Sequence, residues 1–346
     1  MRLASGAGRR VSWLAGASFF SAMTIATGDL AGANGIYSPF FLLHREVSEA
    51  AVFGDVSASP LAKLRLGVGT RLFRATTDDE RRERLGMPAA TARAKLGVTP
   101  SASITYEIAP DRLIYLRFGT AFRPGGLDPA NTRTGRYDGD EVRSFDLGTR
   151  QRLADGKVSL SGGAFRSTWA NVQSDYLQDN GLVATRNAGD ALILGGELSV
   201  EWRPGAWWFR AGGVRQHARL ERGVGGADLP EDRRLPVVPD LTARFEMGRT
   251  VAVAGASGEL HAAADYLGRS RLSFDQGLDR EEGGYATLRA GGSVVVQGVV
   301  VRVEADNLLN SRADTFAFGN PFMVRVEREY TPLRPRSIRV AVTHRF

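Results

Sequence analysis

The chain has 346 residues, of which 43% are hydrophobic and 24% are charged, with 41 glycines and a formal net charge of +7. This composition is typical of a folded protein and excludes a disordered one. The absence of cysteine excludes disulfides, zinc-thiolate sites and thiol nucleophiles. The positive charge suggests nucleic acid or an anionic ligand as a partner. The arginines are, however, scattered along alternating segments, and this distribution favours the interpretation that they line a polar interior.

Helix signals are almost absent. Residues 11–26 form the longest weakly polar segment, but serines and a threonine interrupt it. It falls short of the about 18 apolar residues that predict a membrane-spanning helix. Residues 78–85 have a helix-friendly composition without an apolar stripe, so we expect a solvated loop turn there. A membrane is still allowed, because a barrel strand needs only about 9–11 residues of alternating character.

Strand signals recur along the whole chain. In one segment Leu64, Leu66 and Val68 alternate with Lys63 and Arg65, so that one face is apolar and the other is charged. This period of two is typical of strands. About fourteen strands are predicted in this way, at about 11–25, 45–58, 62–76, 92–107, 112–122, 141–153, 157–177, 183–203, 206–220, 237–249, 258–271, 284–297, 299–309 and 335–346.

Short turns alternate with long polar links between these strands. The short turns fall at 59–61, 109–111, 154–156, 203–205 and 298, and the long links near 26–44, 77–91, 123–140, 221–236, 272–283 and 310–334. Two connections depart from the pattern, since the Asn180-Gly181 link is short where a long one is expected, and residues 248–257 are looser than the other turns. An outer-membrane barrel predicts this asymmetry and a soluble β-sandwich does not. A sandwich would also bury many basic side chains without partners.

The chain ends on a strand with one apolar face. Ile338, Val340, Val342 and the terminal Phe346 lie on one side, and Arg339 lies on the other. Such an ending is typical of barrels that present apolar side chains outward and polar ones inward. The sequence therefore predicts an all-β fold, an antiparallel up-and-down transmembrane β-barrel.

Segments of the chain, in a fixed order, resemble a known family. They are residues 113–126 (LIYLRFGTAFRPGG), 141–150 (EVRSFDLGTR), 187–198 (NAGDALILGGEL), 303–310 (VEADNLLN) and Phe346. Their order and spacing resemble the TonB-dependent outer-membrane receptors, which import ferric siderophores and other scarce nutrients. The resemblance covers nearly the whole chain. It implies that residues 1–346 are a partial barrel domain, the C-terminal part of a 22-stranded barrel, with no visible plug domain or TonB-contacting segment.

The resemblance also implies the location and partners of the protein. It implies a receptor in the outer membrane of a Gram-negative bacterium. From the residues themselves we expect no enzymatic activity, because no serine and histidine pair has a supporting motif, and no metal site, because no two histidines lie close enough in sequence. No cofactor is expected. The expected partners are outer-membrane lipid, a ferric siderophore or other nutrient chelate, and TonB only if the full gene encodes a plug; nucleic acid is not among them. Barrel-assembly machinery is a further expected partner, and it would recognise Ile338, Val340, Val342 and Phe346.

The candidate ligand contacts lie near the predicted extracellular ends of strands. Guanidinium groups suit the anionic oxygens of a ferric siderophore. For each candidate, a salt bridge within the lumen wall is the competing interpretation. The candidates are Arg123, Arg133, Arg136, Tyr137, Asn187 and Arg215. The carboxylates in predicted links are expected to be solvated: Asp78, Asp79, Asp138, Asp140, Glu281 and Glu282.

Two further questions stay open at this point. Arg9 and Arg10, followed by residues 11–26 and Ala31-Gly-Ala33, imitate a signal peptide, and the competing interpretation is a strand over residues 10–25. We favour the strand, because cleavage would leave an odd number of strands, about thirteen. Met1 is then expected to be an internal start or the boundary of a cloned fragment, and the chain to have no export signal of its own. Alternative functions are a plugless passive pore, in which the first strand pairs with the last, and a non-functional fragment.

Overall fold

The computed structural model describes the chain except for residues 7–9, 32–35, 84–88, 129–134, 178–182, 227–228, 230, 276–277, 279, 325–326, 328 and 345–346. Within the described residues, fifteen strands form one antiparallel sheet, and each strand pairs with its neighbours in chain order. Two small two-stranded sheets and a 3-10 turn, Val224–Gly226, lie in the links. The all-β, up-and-down fold is confirmed. In the same residues, no helix is long and apolar enough to cross a bilayer.

The strands have the following bounds. They are β1 (Arg2–Ala4), β2 (Val11–Ala31), β3 (Tyr37–Leu61), β4 (Leu64–Glu83), β5 (Ala89–Ala109), β6 (Arg112–Arg123), β7 (Gly126–Leu127), β8 (Arg136–Tyr137), β9 (Asp140–Leu153), β10 (Val158–Leu177), β11 (Val183–Trp202), β12 (Trp207–Arg222), β13 (Leu241–Val253), β14 (Ala256–Leu267), β15 (Ser270–Arg271), β16 (Glu281–Glu282), β17 (Tyr285–Val296), β18 (Val299–Asp306) and β19 (Ser337–His344). β7 pairs with β8 and β15 with β16, outside the main sheet.

The predicted strands are all present, in the predicted order. β1 is an additional strand of three residues that pairs with residues 14–16 of β2. β2 itself pairs with β3 along its whole length, so the strand interpretation of residues 10–25 holds from Val11 onward. The terminal Phe346 lies outside the described residues, as does the Asn180-Gly181 link.

Two of the predicted long links are wrong, because strands occupy most of them. The link predicted at 26–44 holds the end of β2 and the start of β3, and the link predicted at 77–91 holds the end of β4 and the start of β5. The solvated turn predicted at 78–85 is wrong for the same reason, since β4 continues to Glu83. Polar residues follow one another at the end of β4, from Asp78 to Glu83, and apolar residues follow one another at the start of β3, from Phe40 to Leu43, so no alternation in the sequence marks these strand ends.

The turn between β13 and β14 is tighter than the sequence indicates. The looser connection predicted at 248–257 is wrong, because the strands continue to Val253 and resume at Ala256. Ala254 and Gly255 form the turn with φ values of 50° and 81°. Positive φ at both central residues gives a two-residue turn a twist that matches its strands, as in type I′ hairpins.

The two faces of the sheet differ sharply. On β4, Leu66, Val68 and Leu72 are exposed on the outer face. On the inner face of the same strand, Phe73 and Ala75 are buried, and Phe122 of β6 packs against them. β1 and β19 are the two edges of the sheet, and no described residue pairs one with the other. The pairing of first and last strands that a closed fourteen-stranded pore requires is therefore not seen in the described part of the chain.

Candidate ligand-binding site

The link between β6 and β9 folds inward and is fastened to the inner face of β3 and β4. Arg45 and Asp79 face each other across these strands. The Nε of Arg45 lies 2.6 Å from Oδ1 of Asp79, and its Nη2 donates to the carbonyl of Leu127 at 2.6 Å. The amide of Leu127 donates in turn to Oδ2 of Asp79 at 2.6 Å. The hairpin of β7 and β8 is thus held by both partners of one ion pair.

The ion pair of Arg45 and Asp79 is largely removed from water. The side chain of Asp79 is 0% exposed, so the prediction that it is solvated is wrong. Burial opposes the charge on Arg45, but hydrogen bonds and charge interactions with Asp79 and Tyr137 outweigh it and raise the Arg45 pKa. A charge of this kind is tolerated away from water only when its partners satisfy it. His44 and Glu46 flank Arg45 on the outer face, so this part of β3 lies beyond the apolar outer band.

A second contact fastens the hairpin one step along β4. Arg81 is buried and donates from Nη1 to the carbonyl of Asp128 at 2.9 Å. Asp128 itself is 0% exposed. Arg81 lies on the same inner row of β4 as Asp79, two residues further along the strand. Asp79 and Arg81 therefore hold two successive residues of the link, Leu127 and Asp128.

A cleft of about 590 Å³ lies between the hairpin and the wall formed by β4 and β5. Arg93 and Lys95 line it from β5, and Phe122 lines it from β6. The Nζ of Lys95 sits 3.9 Å from the ring centroid of Phe122, which stacks on Phe73 at 5.2 Å. Arg93 lies 3.3 Å from Asp138 and donates to the carbonyl of Tyr137 at 3.2 Å, whereas no carboxylate of the described chain pairs with Lys95. The ammonium group of Lys95 suits an anionic ligand, which can pair with its charge.

Arg123 is placed at the edge of this region and is engaged in the wall. Its guanidinium forms an ion pair with Asp140 at 2.5 Å. Asp140 also accepts a hydrogen bond from Nε1 of Trp169 at 3.0 Å. Asp140 is buried, so the prediction that it is solvated is wrong. This geometry corresponds to the competing interpretation of Arg123, a salt bridge within the lumen wall.

Tyr137 and Asn187 also hold the hairpin. The hydroxyl of Tyr137 accepts a hydrogen bond from Nη1 of Arg45 at 2.9 Å. Asn187 accepts from the amide of Asp138 at 2.7 Å and donates to the carbonyls of Asp138 and Asn171 at 3.1 and 2.7 Å. A single amide side chain therefore joins the hairpin to β10 and β11.

The remaining candidates fall in different places. Arg136 is exposed on β8, within the hairpin. Arg133 lies outside the described residues. Arg215 is exposed on the outer row of β12, because its neighbour Gln216 faces inward and donates to the carbonyl of Pro239 in a folded-in link. The structure thus brings Arg123, Arg136, Tyr137 and Asn187 to one region and leaves Arg215 on the opposite face of the wall.

Sequence reasoning missed the cations of the cleft. Arg93 and Lys95 alternate with Ala92 and Ala94 in a segment that was predicted to be a strand, and this alternation could have identified them. Arg45 gave no such signal, because its pairing with Asp79 joins residues 34 positions apart.

Two further links meet over the inner face at Arg280. Its Nε lies 2.8 Å from Oε1 of Glu282, and its Nη2 pairs with Asp314. Burial raises the pKa of Glu282, although the nearby Arg280 opposes this shift. Glu281 pairs with Arg234 at 3.2 Å, so neither carboxylate of β16 stands alone. Among the described residues, no group of three or more histidine, aspartate or glutamate side chains could hold a metal ion.

The inner face carries a network of arginines and carboxylates below these links. Arg289 lies 3.4 Å from Glu246 and 3.9 Å from Asp265, and Arg244 pairs with the same two carboxylates. These side chains come from β13, β14 and β17, and they share the inner row. The inner wall is therefore polar and charged where the outer wall is apolar.

This architecture matches a known family over most of the chain. Residues 2–308 match the family model described as TonB dependent receptor-like, beta-barrel. The chain belongs to the TonB-dependent receptor β-barrel family. Members of this family that have been solved share its fold, including the ferric yersiniabactin uptake receptor FyuA from Yersinia pestis, at 20% identity and a TM-score of 0.74 over 91% of this chain and 49% of that one.

Two other solved TonB-dependent receptor structures give the same result. The siderophore receptor PiuA from Acinetobacter baumannii is 18% identical with a TM-score of 0.74, over 98% of this chain and 54% of that chain. The ferric-catecholate import receptor Fiu from E. coli K12 is 16% identical with a TM-score of 0.71, over 97% of this chain and 52% of that chain. This chain therefore spans about half the length of the solved receptors that it matches.

Proposed function

We propose that the chain is part of an outer-membrane receptor of a Gram-negative bacterium that takes up a ferric siderophore or a similar scarce nutrient chelate. Family membership supports a receptor, and the names of FyuA, PiuA and Fiu support iron chelates as the ligand class. The observation that carries the proposal is the cleft beneath the hairpin, where Lys95 lies over the ring of Phe122 without a carboxylate partner among the described residues and Arg93 is paired with Asp138. Ferric siderophores present anionic oxygens, which suit the charge of Lys95 in this cleft.

The proposal includes the placement of the chain in the membrane. The exposed apolar row of the sheet would face lipid, and the charged inner row would face a water-filled lumen. Ile338, Val340 and Val342 are exposed on the outer row of β19, which supports their recognition, with Phe346, by barrel-assembly machinery. We regard residues 1–346 as a partial barrel domain, and TonB as a partner if the complete protein contains a plug.

Among the candidate residues, roles divide between binding and support. Arg136 is exposed within the hairpin and is available to a ligand. Arg123, Tyr137 and Asn187 would act by holding the hairpin over the cleft, because their polar atoms are engaged with protein groups. Arg133 stays a candidate contact.

A titration with ferric chelates of different charge tests the ligand class. Quenching of tryptophan fluorescence should report saturable binding of an anionic ferric catecholate. Lys95→Gln should weaken it by about tenfold, because it removes one charge-assisted contact. Arg93→Gln should weaken it less, because Arg93 is already paired with Asp138. Lys157→Gln is the matched control, since Lys157 is exposed in the short turn after β9 at the other end of the sheet. Equal affinity of all variants would exclude the cleft as the binding site.

Planar-bilayer recording separates a receptor from a passive pore. The complete receptor should bind the chelate without a steady large conductance. A steady large conductance that is indifferent to chelate would support the plugless pore instead.

A further inference from the structure

Three arginines on the inner face, near the short turns, have no acidic partner. Arg117 of β6 and Arg150 and Arg152 of β9 are all exposed. The register through β5 places them on the same face as Phe73 of β4. Among the described residues, no carboxylate forms an ion pair with any of the three, whereas the inner arginines of β13 and β17 are paired. A hydrated guanidinium group without a partner is available to an anion.

Two of the three arginines converge on one tyrosine ring. The guanidinium carbon of Arg117 lies 4.6 Å from the ring centroid of Tyr115, and that of Arg150 lies 6.0 Å from it. The ring lies against Gly148 of β9, where a Cβ atom would come within 2.4 Å of it. Because glycine leaves this space free, the ring rests on the backbone of β9. Cation–π contact with this ring therefore holds both guanidinium groups in place before a ligand arrives.

A cavity of about 410 Å³ adjoins these arginines. Arg150 and Arg152 line it from β9, and serines line it from β10 and β11. The serines are Ser159, Ser161 and Ser199. The register makes Arg150, Ser161 and Ser199 neighbours in one row across three strands. Guanidinium groups and serine hydroxyls both donate hydrogen bonds, so this set suits the oxygens of an anion.

The carboxylates near the cavity do not neutralise the three arginines. Glu201 lines the cavity, but it pairs with Arg203 and lies 3.6 Å from Arg210. Asp111 also lines it and stands in the short turn between β5 and β6. Asp146 is opposite Arg117 on the neighbouring strand, yet the two side chains form no ion pair. The charge of the arginines thus stays available to a ligand.

The position of the arginines separates them from the cleft of Lys95. Arg152 is the last residue but one of β9, next to a short turn. Arg117 is opposite Ser103 of β5, which lies eight residues beyond Lys95 on the same strand. Eight residues of strand span about 26 Å. Because the short turns of such barrels face the periplasm, the proposed orientation puts the cleft at the outer end of the lumen and the arginines at its periplasmic end.

We propose that Arg117, Arg150 and Arg152 form a second anion-binding site, which receives the anionic oxygens of the iron chelate near the periplasmic end of the lumen. The guanidinium groups pair with these oxygens, and the serine hydroxyls of the cavity donate to the oxygens that remain. A chelate with several anionic oxygens suits three cations beside one small cavity. This inference rests on the proposed function and adds a site that the ligand occupies after it leaves the cleft.

Isothermal titration calorimetry of the chain in detergent tests the site, with the tricarboxylate citrate as the probe. The parent protein carries Lys95→Gln, so that the unpaired cation of the cleft does not contribute. Citrate should bind to it in one saturable step. Adding Arg150→Gln and Arg152→Gln should weaken binding by about tenfold or more, because two charge-assisted contacts are lost. Both arginines are exposed, so the variant should fold, and heat-modifiable mobility on gels checks this.

The matched control is Arg112→Gln in the same parent. Arg112 is exposed at the start of β6, and it lies on the outer row because the next residue, Leu113, lies on the inner row opposite Arg150. Its loss should leave citrate affinity unchanged. Equal affinity of the double arginine variant and its parent would overturn the proposal. An equal loss in Arg112→Gln would also overturn it, because net charge alone would then explain the effect.

Uptake of a ferric catecholate by cells that carry the complete receptor links the site to transport. Arg150→Gln with Arg152→Gln should leave surface affinity for the chelate unchanged and slow uptake several-fold at saturation. An unchanged uptake rate would refute the second site and leave the proposed function standing, whereas a parent receptor that binds no chelate would refute the proposed function. Citrate binding by the chain that disappears in the complete receptor would show that another segment fills the site, and would overturn its assignment to the chelate.

Discussion

Arg45 shows how one side chain can organise a loop that is distant in sequence. Its guanidinium contacts Asp79 on the neighbouring strand, Leu127 in the folded-in link and Tyr137 at the end of the hairpin. Arginine suits this role because its planar group offers five donors in fixed directions. A lysine at the same position would provide a charge without this geometry.

The Asp79→Asn substitution should release the hairpin. The variant leaves Arg45 partly buried without a counter-charge, which typically costs about 3–5 kcal/mol in a buried pair. Hydrogen exchange at the amide of Leu127, which donates to Asp79, should accelerate strongly. Glu80→Gln is the control, because Glu80 pairs with Arg82 on the exposed face and such pairs contribute at most about 1 kcal/mol. Unchanged protection of Leu127 in Asp79→Asn would contradict the anchoring role.

Asp232 should make the link after β12 sensitive to acid. Hydrogen bonds from the Arg234 side chain hold the pKa of Asp232 below its ordinary value. A carboxylate with a lowered pKa stabilises the folded link above its unfolded pKa of about 4, and this contribution is lost as the pH falls through the lower folded value. Protection of the Leu220 and Leu235 amides, which bond to Arg233 and Ala218 across this link, should therefore fall in acid.

The control for this pH dependence is Asp232→Asn. Asparagine cannot titrate, so the protection of the same two amides should be lower at neutral pH and should not change further in acid. The same acid transition in the variant would assign the effect to another group.

At the scale of single elements, substitutions in β19 can determine which face of the sheet meets lipid and which meets the lumen. Val340 is exposed on the outer row, and Ala341 follows it on the inner row. Val340→Arg should reduce assembly into outer membranes, since an arginine facing lipid near the midplane costs about 2–4 kcal/mol. Ala341→Arg should assemble normally because its side chain enters a hydrated lumen. Heat-modifiable mobility on gels measures the folded fraction, and equal defects in both variants would contradict the assignment of faces.

The junction of β10 and β11 depends on one glycine. The register shifts near Val172, which is opposite Gly189, and Gly189 has a φ of 129°. A side chain there would also meet the backbone carbonyl of Arg222. Gly189→Ala should destabilise the fold by about 1–3 kcal/mol. Gly119→Ala on β6, where open space surrounds the position, should change unfolding in denaturant little; equal losses would argue against strain at Gly189.

The sequence indicates strands well where one face is apolar and fails where neither face is. The alternation of Leu66 and Val68 with charged residues identified β4, whereas the continuation of β4 through Asp78 and Glu83 was missed because polar residues occupy both faces there. The folded-in hairpin could not be predicted, since Arg45 and Leu127 are 82 positions apart and no local pattern encodes their contact. Among the candidate site residues, the sequence correctly placed Arg136 in the link between β6 and β9. It did not reveal which face of β12 carries Arg215.

At the scale of the whole molecule, the two edges of the sheet differ. β1 covers only residues 14–16 of β2, so most of the outer edge of β2 has no strand beside it in the described chain. Unpaired edges expose amide and carbonyl groups that attract further strands. In the 346-residue chain alone, edge amides of β2 beyond Ala17 should exchange with solvent far faster than those of β3. If the complete protein supplies further strands, as we propose, the same amides should become protected there, and slow exchange in both forms would contradict this.

The length of β3 sets how far the receptor reaches into its surroundings. β3 has 25 residues, which extend about 80 Å along the strand. Tilted as in other outer-membrane barrels, it would rise about 60 Å, of which the apolar band accounts for about 25 Å. If the chain lies in the outer membrane, as we propose, the strands continue about 35 Å beyond the apolar band. Nutrient capture at the cleft would then take place at the level of the sugar coat that surrounds the cell, ahead of the diffusion barrier that this coat presents to bulky solutes.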